Sequence, residues 1–120
     1  MELDPNGLDQ HQSGAKLDYG KPLPYLVLSR FSRALIEIVE VGTYGAEKYT
    51  PDGWIHVEDG ENRYREAEWR HQLAIWCGEE YDESGCLHEA HRLWNALAAL
   101  ELKLRSNAKL RGRISRPKKS

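Results

Sequence analysis

The sequence predicts an all-α protein, a compact helical bundle. Three observations carry that reading. Apolar residues recur at three-and-four spacing in three windows, glycines or polar turns bound those windows, and no convincing run alternates as a strand would. The chain has 120 residues, 40% hydrophobic and 30% charged, with a formal net charge of -2. That length suits one domain, and four Trp and six Tyr help supply the area of one core.

Residues 1–14 are polar and aperiodic, with Pro5, Gly7 and Gly14, and read as a flexible N-terminus. Residues 15–25 (AKLDYGKPLPY) hold Gly20, Pro22 and Pro24, which impose an extended or turning segment. Lys16 and Lys21 on it suit a lid or a phosphate contact. The first helix is expected over 26–41, from Val27, Leu28, Phe31, Ala34, Leu35, Ile38 and Val39, with Gly42 and Gly45 ending it. TYGAEKYTPDGW then reads as a helical turn and a loop, and 55–62 as an acidic loop.

A second helix is expected over 62–77, ending at Gly78. Its apolar residues cover most of its circumference, so it is expected to be buried, and His71 with it. The third, 87–106, carries Leu93, Trp94, Leu97, Leu100 and Leu104 as an expected core stripe. The domain so defined is 15–106, followed by a flexible basic tail, 107–120.

Charge is uneven. The tail has six basic and no acidic side chains, leaving residues 1–106 at a formal -8. An acidic body suits a metal site better than a nucleic-acid groove, and no specific nucleic-acid partner is expected. No apolar run approaches the ~18–20 residues of a membrane span, and Met1-Glu2-Leu3-Asp4 does not read as a signal peptide. Cys77 and Cys86 cannot form a disulfide scaffold, so a cytoplasmic protein with free thiols is expected.

GEEYDESGCLHEAHRLWN, residues 78–95, is the most informative stretch. Glu79 and Asp82 are three apart, as are His88 and His91, with Asn95 four further on the same helical face. Buried without partners such groups cost ~1–3 kcal/mol each. Carboxylates with water suit Mg²⁺ or Mn²⁺, and imidazole joins them as a ligand. The plain reading, at even weight, is a hydrogen-bonded network holding two helices in register. Glu37 and Glu40 form a second acidic pair. Facing the first, they could hold one to three Mg²⁺ against a polyphosphate, with water as nucleophile.

Arg70, expected on a buried helix beside His71, calls for an anion: Glu66 or a phosphate. Lys48, Tyr49 and Trp54 combine a cation with aromatic rings, suited to a phosphate and a base; for Trp54 a hydrophobic clasp on the loop is the stronger reading. No phosphate-binding glycine loop, H-E-x-x-H, C-x-x-C or serine elbow occurs.

Together GAKLDYGKPLPYLVL, Glu37 with VGTYGAEKY, Trp54, and WRHQLAIWCGEEYDESGCLHEAHRLWNAL resemble the dATP/dGTP diphosphohydrolase N-terminal domain family, to which the phage MazZ enzymes belong. The resemblance spans 14 to about 102. It is strongest in GAEKY, the Arg70-His71 pair and GEEYDESGCLHEAH. It implies a relation to the all-α MazG-type NTP pyrophosphohydrolases. These cleave a (d)NTP, here a purine deoxynucleotide, to the monophosphate and pyrophosphate. They use Mg²⁺ or Mn²⁺ on acidic pairs and work as homo-dimers or homo-tetramers. Carried over, Glu79 and Asp82 match one acidic pair and Glu37 with Glu40 the other. Glu79, Asp82 and Glu37 become the catalytic carboxylates. His71, His88 and His91 join the metal ligands, and Lys16, Lys21, Lys48, Tyr49, Trp54, Arg70 and Asn95 the nucleotide contacts. The family pattern has Asn before the loop Trp, where this chain has Gly53. A non-catalytic nucleotide- or partner-binding helical protein is the alternative.

Overall fold

Pro24 opens α1 (Pro24–Leu28) in its first turn, where a missing N–H breaks no helical bond. The computed structural model describes residues 2–110, and the described chain parts into two compact units between Ser29 and Arg30. The helix expected over 26–41 is broken: a 3₁₀ turn, Ser29–Phe31, separates α1 from α2 (Ser32–Lys48). Ser29 opens that turn and Ser32 opens α2.

α2 then runs through both glycines expected to stop it. Gly42 is there for proximity: a Cβ would sit 3.1 Å from Trp94 Nε1. Helix-interior glycine costs only ~1 kcal/mol, so packing against α4 (His88–Ser106) overrides it. The helix stops at Tyr49, whose N–H donates to the Gly45 carbonyl at 3.0 Å. Pro51, left-handed Asp52 and a 3₁₀ turn at Gly53–His56 follow.

α3 (Gly60–Trp76) and α4 pack as an antiparallel pair. Gly60, first in α3, lies against Leu102 late in α4, while His71 late in α3 meets His88 at the start of α4. Glu89 in the first turn of α4 and Lys103 and Arg105 in the last complement its dipole.

The core face of α4 is not the leucine stripe. Ala90, His91, Asn95, Ala98 and Ala99 are buried, whereas Leu93, Leu97 and Leu100 are 37%, 57% and 48% exposed. Small residues let the two helix backbones approach closely, and the leucines lie on the opposite side of the helix. α3 is likewise not buried all round, since Trp69, Leu73 and Trp76 face outward. Arg70 shares that exposure, and His71 is half-buried.

Among the described residues no strand forms, and no helix is long and apolar enough to cross a membrane. Within the N-terminal unit, the buried Asp4 carboxylate accepts the N–H groups of Asn6 and Leu8 at 2.9 and 2.8 Å. After α4 a 3₁₀ turn covers Ala108–Leu110, and the rest of the basic tail lies outside the described residues.

Candidate active site

The turn out of α3 sets the site. Gly78 has φ +87°, its N–H donates to Ile75, and the Glu79 N–H donates to Ala74. This is a Schellman ending, and glycine carries its left-handed residue without strain. The chain reverses at once into a tight loop. Tyr81 and Leu87 form an isolated bridge, and the Asp82 N–H donates to the Cys86 carbonyl at 2.8 Å. The Asp82 carboxylate accepts the Ser84 N–H at 2.9 Å, an Asx-type turn. Glu79 and Asp82 are therefore loop residues and not a helical pair.

That loop delivers two carboxylates to three imidazoles. Nδ1 of His71 and Nδ1 of His88 are 2.8 Å apart, and His88 Nε2 is 2.9 Å from Glu79 Oε1. A carboxylate only accepts, so His88 Nε2 carries its hydrogen, and in the neutral ring Nδ1 accepts from His71 Nδ1–H. His91 Nε2 lies 2.8 Å from Ser84 Oγ and 3.4 Å from Asp82 Oδ2. The His71 ring stacks on His91 with centroids 4.6 Å apart. One ligand atom from each of His71, Asp82 and His88 falls within 4.8 Å of the others.

Burial and the neighbouring His91 push His71 down to about 4. Burial also lowers His91, although Asp82 pulls it the other way. For Asp82, burial alone would raise the pKa; the Ser84 amide and hydroxyl, with the two imidazoles, outweigh it and hold the carboxyl below its ordinary value. At neutral pH His71 and His91 are thus neutral imidazoles and Asp82 an ionised carboxylate, the forms that bind a cation.

A cleft of about 1180 Å³ opens beside the cluster, lined by His71, Asp82 and His91 at one part of its wall. Lys48, Tyr49, Trp54, Arg70 and Asn95 line it too. Lys48 Nζ stands 5.3 Å from the Tyr49 ring centroid and 5.7 Å from that of Tyr44. Trp54 meets Tyr64 and Trp94 edge-on, and the Tyr64 hydroxyl donates to the Trp54 carbonyl at 2.9 Å. The clasp is real, and it forms part of the cleft wall. Asn95 is buried and donates to the His91 carbonyl at 2.8 Å.

Not every expected residue gathers here. Glu37 and Glu40 are exposed on α2, outside both the cleft lining and the three-ligand cluster. Lys16 and Lys21 belong to the N-terminal unit. Arg70 makes no ion pair with Glu66 among the described residues, although both line the cleft.

Residues 11–111 match the model of one family, described as dATP/dGTP diphosphohydrolase, N-terminal. The chain belongs to that family. No curated protein matches it, and neither does any solved structure. The match covers α1 to α4, so the histidine–carboxylate cluster and the cleft both lie within the diphosphohydrolase N-terminal region.

Three contributors to this candidate site escaped the sequence reading. Ser84 holds both Asp82 and His91; its signal was Asp-x-Ser-Gly, an Asx-turn pattern. Tyr64 and Arg63 line the cleft from the first turns of α3, where nothing in the apolar periodicity marked them.

Proposed function

We propose that this chain is a divalent-cation-dependent diphosphohydrolase that cleaves purine deoxynucleoside triphosphates to the monophosphate and pyrophosphate, in phage nucleotide-pool metabolism. The observation that carries the reading is the juxtaposition of a cation-competent histidine–aspartate cluster with an aromatic and basic cleft, in a chain of the dATP/dGTP diphosphohydrolase N-terminal family.

Each end of the cleft has a task. Tyr49 and Trp54 offer ring surface for a base, and Lys48, Arg63 and Arg70 offer positive charge for a triphosphate. Asp82 is the expected catalytic carboxylate that lines the cleft, and it is held ionised toward it. His71 is kept unprotonated beside it. Mg²⁺ or Mn²⁺ at this cluster would polarise phosphoryl oxygens and acidify a water. The fit rests on the donors themselves: two imidazole nitrogens that share one hydrogen and an ionised carboxylate oxygen converge there.

The outward leucines of α4 and tryptophans of α3 support a homo-dimer or homo-tetramer, because exposed apolar patches of this kind mark association surfaces. Free Cys77 and Cys86 accord with a cytoplasmic protein. The deciding experiment is pyrophosphate release across the eight common NTPs and dNTPs, with Mg²⁺ and with Mn²⁺. Release from dATP and dGTP above the other six is the expected result; none from any of them overturns the proposal.

A further inference from the structure

We infer that His71, His88 and Asp82 form a binding site for a first-row transition ion, in the class Mn²⁺ to Zn²⁺, that discriminates against Mg²⁺. Glu79 and His91 are positioning residues for it and not ligands. The inference deepens the hydrolase proposal, on which the catalytic meaning of the ion rests, but binding is tested without nucleotide.

Donor spacing is the first argument. Two nitrogens at right angles around an ion, each ~2.1 Å from it, lie ~3 Å apart. The Nδ1 atoms of His71 and His88 are 2.8 Å apart, held by one proton. An ion in place of that proton needs no change in the spacing of the two nitrogens; both rings turn so that their lone pairs face it. The Asp82 carboxylate completes three donors within 4.8 Å, and since donors around one tetrahedral ion stand ~3.4 Å from one another, the widest pair closes by up to roughly 1.4 Å when all three share it. Three protein ligands leave positions open for water or phosphate.

The surroundings of the donors supply a second, independent argument. A metal-bound imidazole characteristically donates its other N–H to a carboxylate, which fixes its tautomer and strengthens it as a base. His88 does this: Nε2–H points at Glu79 Oε1 at 2.9 Å, so Nδ1 presents its lone pair to the site. The Glu79 side chain is 62% exposed. Asp82 is aimed by the Ser84 N–H, and His91 Nε2 is engaged by Ser84 Oγ at 2.8 Å. Both helpers are already committed.

Donor chemistry selects the ion. Mg²⁺ demands oxygen ligands and keeps most of its water, whereas imidazole suits the later first-row ions. Two nitrogens and one carboxylate therefore place Mg²⁺ at a disadvantage that an all-carboxylate site would not impose. Glu37 and Glu40, exposed on α2, are not part of this donor set.

The test is a titration of the chelator-stripped full chain with CoCl₂, followed by visible absorption and calorimetry, then competition with MgCl₂. We expect one Co²⁺ per chain, bound at least ~100-fold tighter than Mg²⁺. His71→Gln and Asp82→Asn should each abolish the band, while Glu79→Gln should weaken binding roughly 10- to 100-fold without changing stoichiometry. Circular dichroism of the metal-free variants shows which are folded, and the folded ones decide. Co²⁺ binding unchanged in folded His71→Gln or Asp82→Asn, or Mg²⁺ displacing Co²⁺ at comparable concentration, overturns the inference. Pyrophosphate release from the same samples separates the two claims. Co²⁺ held by the triad without release with any ion upholds the site and overturns the hydrolase; release in Mg²⁺ with no Co²⁺ binding does the reverse.

Discussion

His71 and His88 bring their Nδ1 atoms to 2.8 Å although they lie on different helices and 17 residues apart in the chain. With the His91 ring stacked on that of His71, three imidazoles occupy one corner. Burial and the neighbouring imidazoles favour the neutral rings of His71 and His91.

The metal-free chain should therefore lose stability in mild acid. His71 titrates near its ordinary 6.5 when unfolded but only at about 4 when folded. Between those values the unfolded state binds more protons, so stability falls as the pH falls. His91, also lowered, adds in the same direction. Thermal melts of chelator-stripped protein should show Tm dropping from pH 6.5 toward 4, less steeply in His71→Gln. Equal slopes in both proteins would show that His71 is not the titrating group.

Asp82→Asn should abolish turnover and spare the fold. The amide oxygen of Asn keeps an acceptor for the Ser84 N–H, so the Asx turn survives, while the negative charge is lost. We expect kcat to fall by roughly 10²-fold or more, in line with removal of a group that stabilises charge in the transition state, with Tm changed by a few degrees at most. Turnover near wild type would remove Asp82 from the site.

The contrast between histidines and leucines shows what was legible in the sequence. His88, His91 and Asn95 were placed on one face of α4 from their spacing, and all three are buried there. The same periodicity assigned Leu93, Leu97 and Leu100 to the core, where the structure puts Ala98 and Ala99 instead. Period alone finds faces; it does not say which face meets the neighbouring helix when both are apolar. Glu79 and Asp82 were found by residue type, but their geometry depends on the Gly78 reversal and the Ser84 hydroxyl, contacts that spacing does not encode. The joining of His71 to His88 across two helices is tertiary, and no local pattern announces it.

The two glycines inside α2 should respond oppositely to alanine. Gly45 has open space where a Cβ would go, so Gly45→Ala should stabilise by ~0.5–1 kcal/mol through helix propensity. At Gly42 the Cβ would sit 3.1 Å from Trp94 Nε1, and the indole is wedged edge-on against Trp54 and Tyr64. Crowding there should outweigh the propensity gain, leaving Gly42→Ala destabilised by ~1–3 kcal/mol. Urea melts of the two variants give the comparison. Stabilisation of both would mean that α2 does not depend on close approach to Trp94.

The exposed leucines of α4 give the proposed homo-oligomer its sharpest test. Leu93, Leu97 and Leu100 follow one another at four- and three-residue steps, on the side of the helix away from α3, and Leu97 is 57% exposed. A stripe with this spacing fits a second helix laid along it. Glu at position 97 costs little in a monomer, where the side chain already meets water, but it buries a charge wherever a second copy covers the stripe. Leu97→Glu should therefore shift the mass measured by light scattering from dimer or tetramer to a smaller species, while far-UV circular dichroism stays unchanged. An unaltered mass would move the interface elsewhere, and the Trp69–Leu73–Trp76 face of α3 would be the next to be charged.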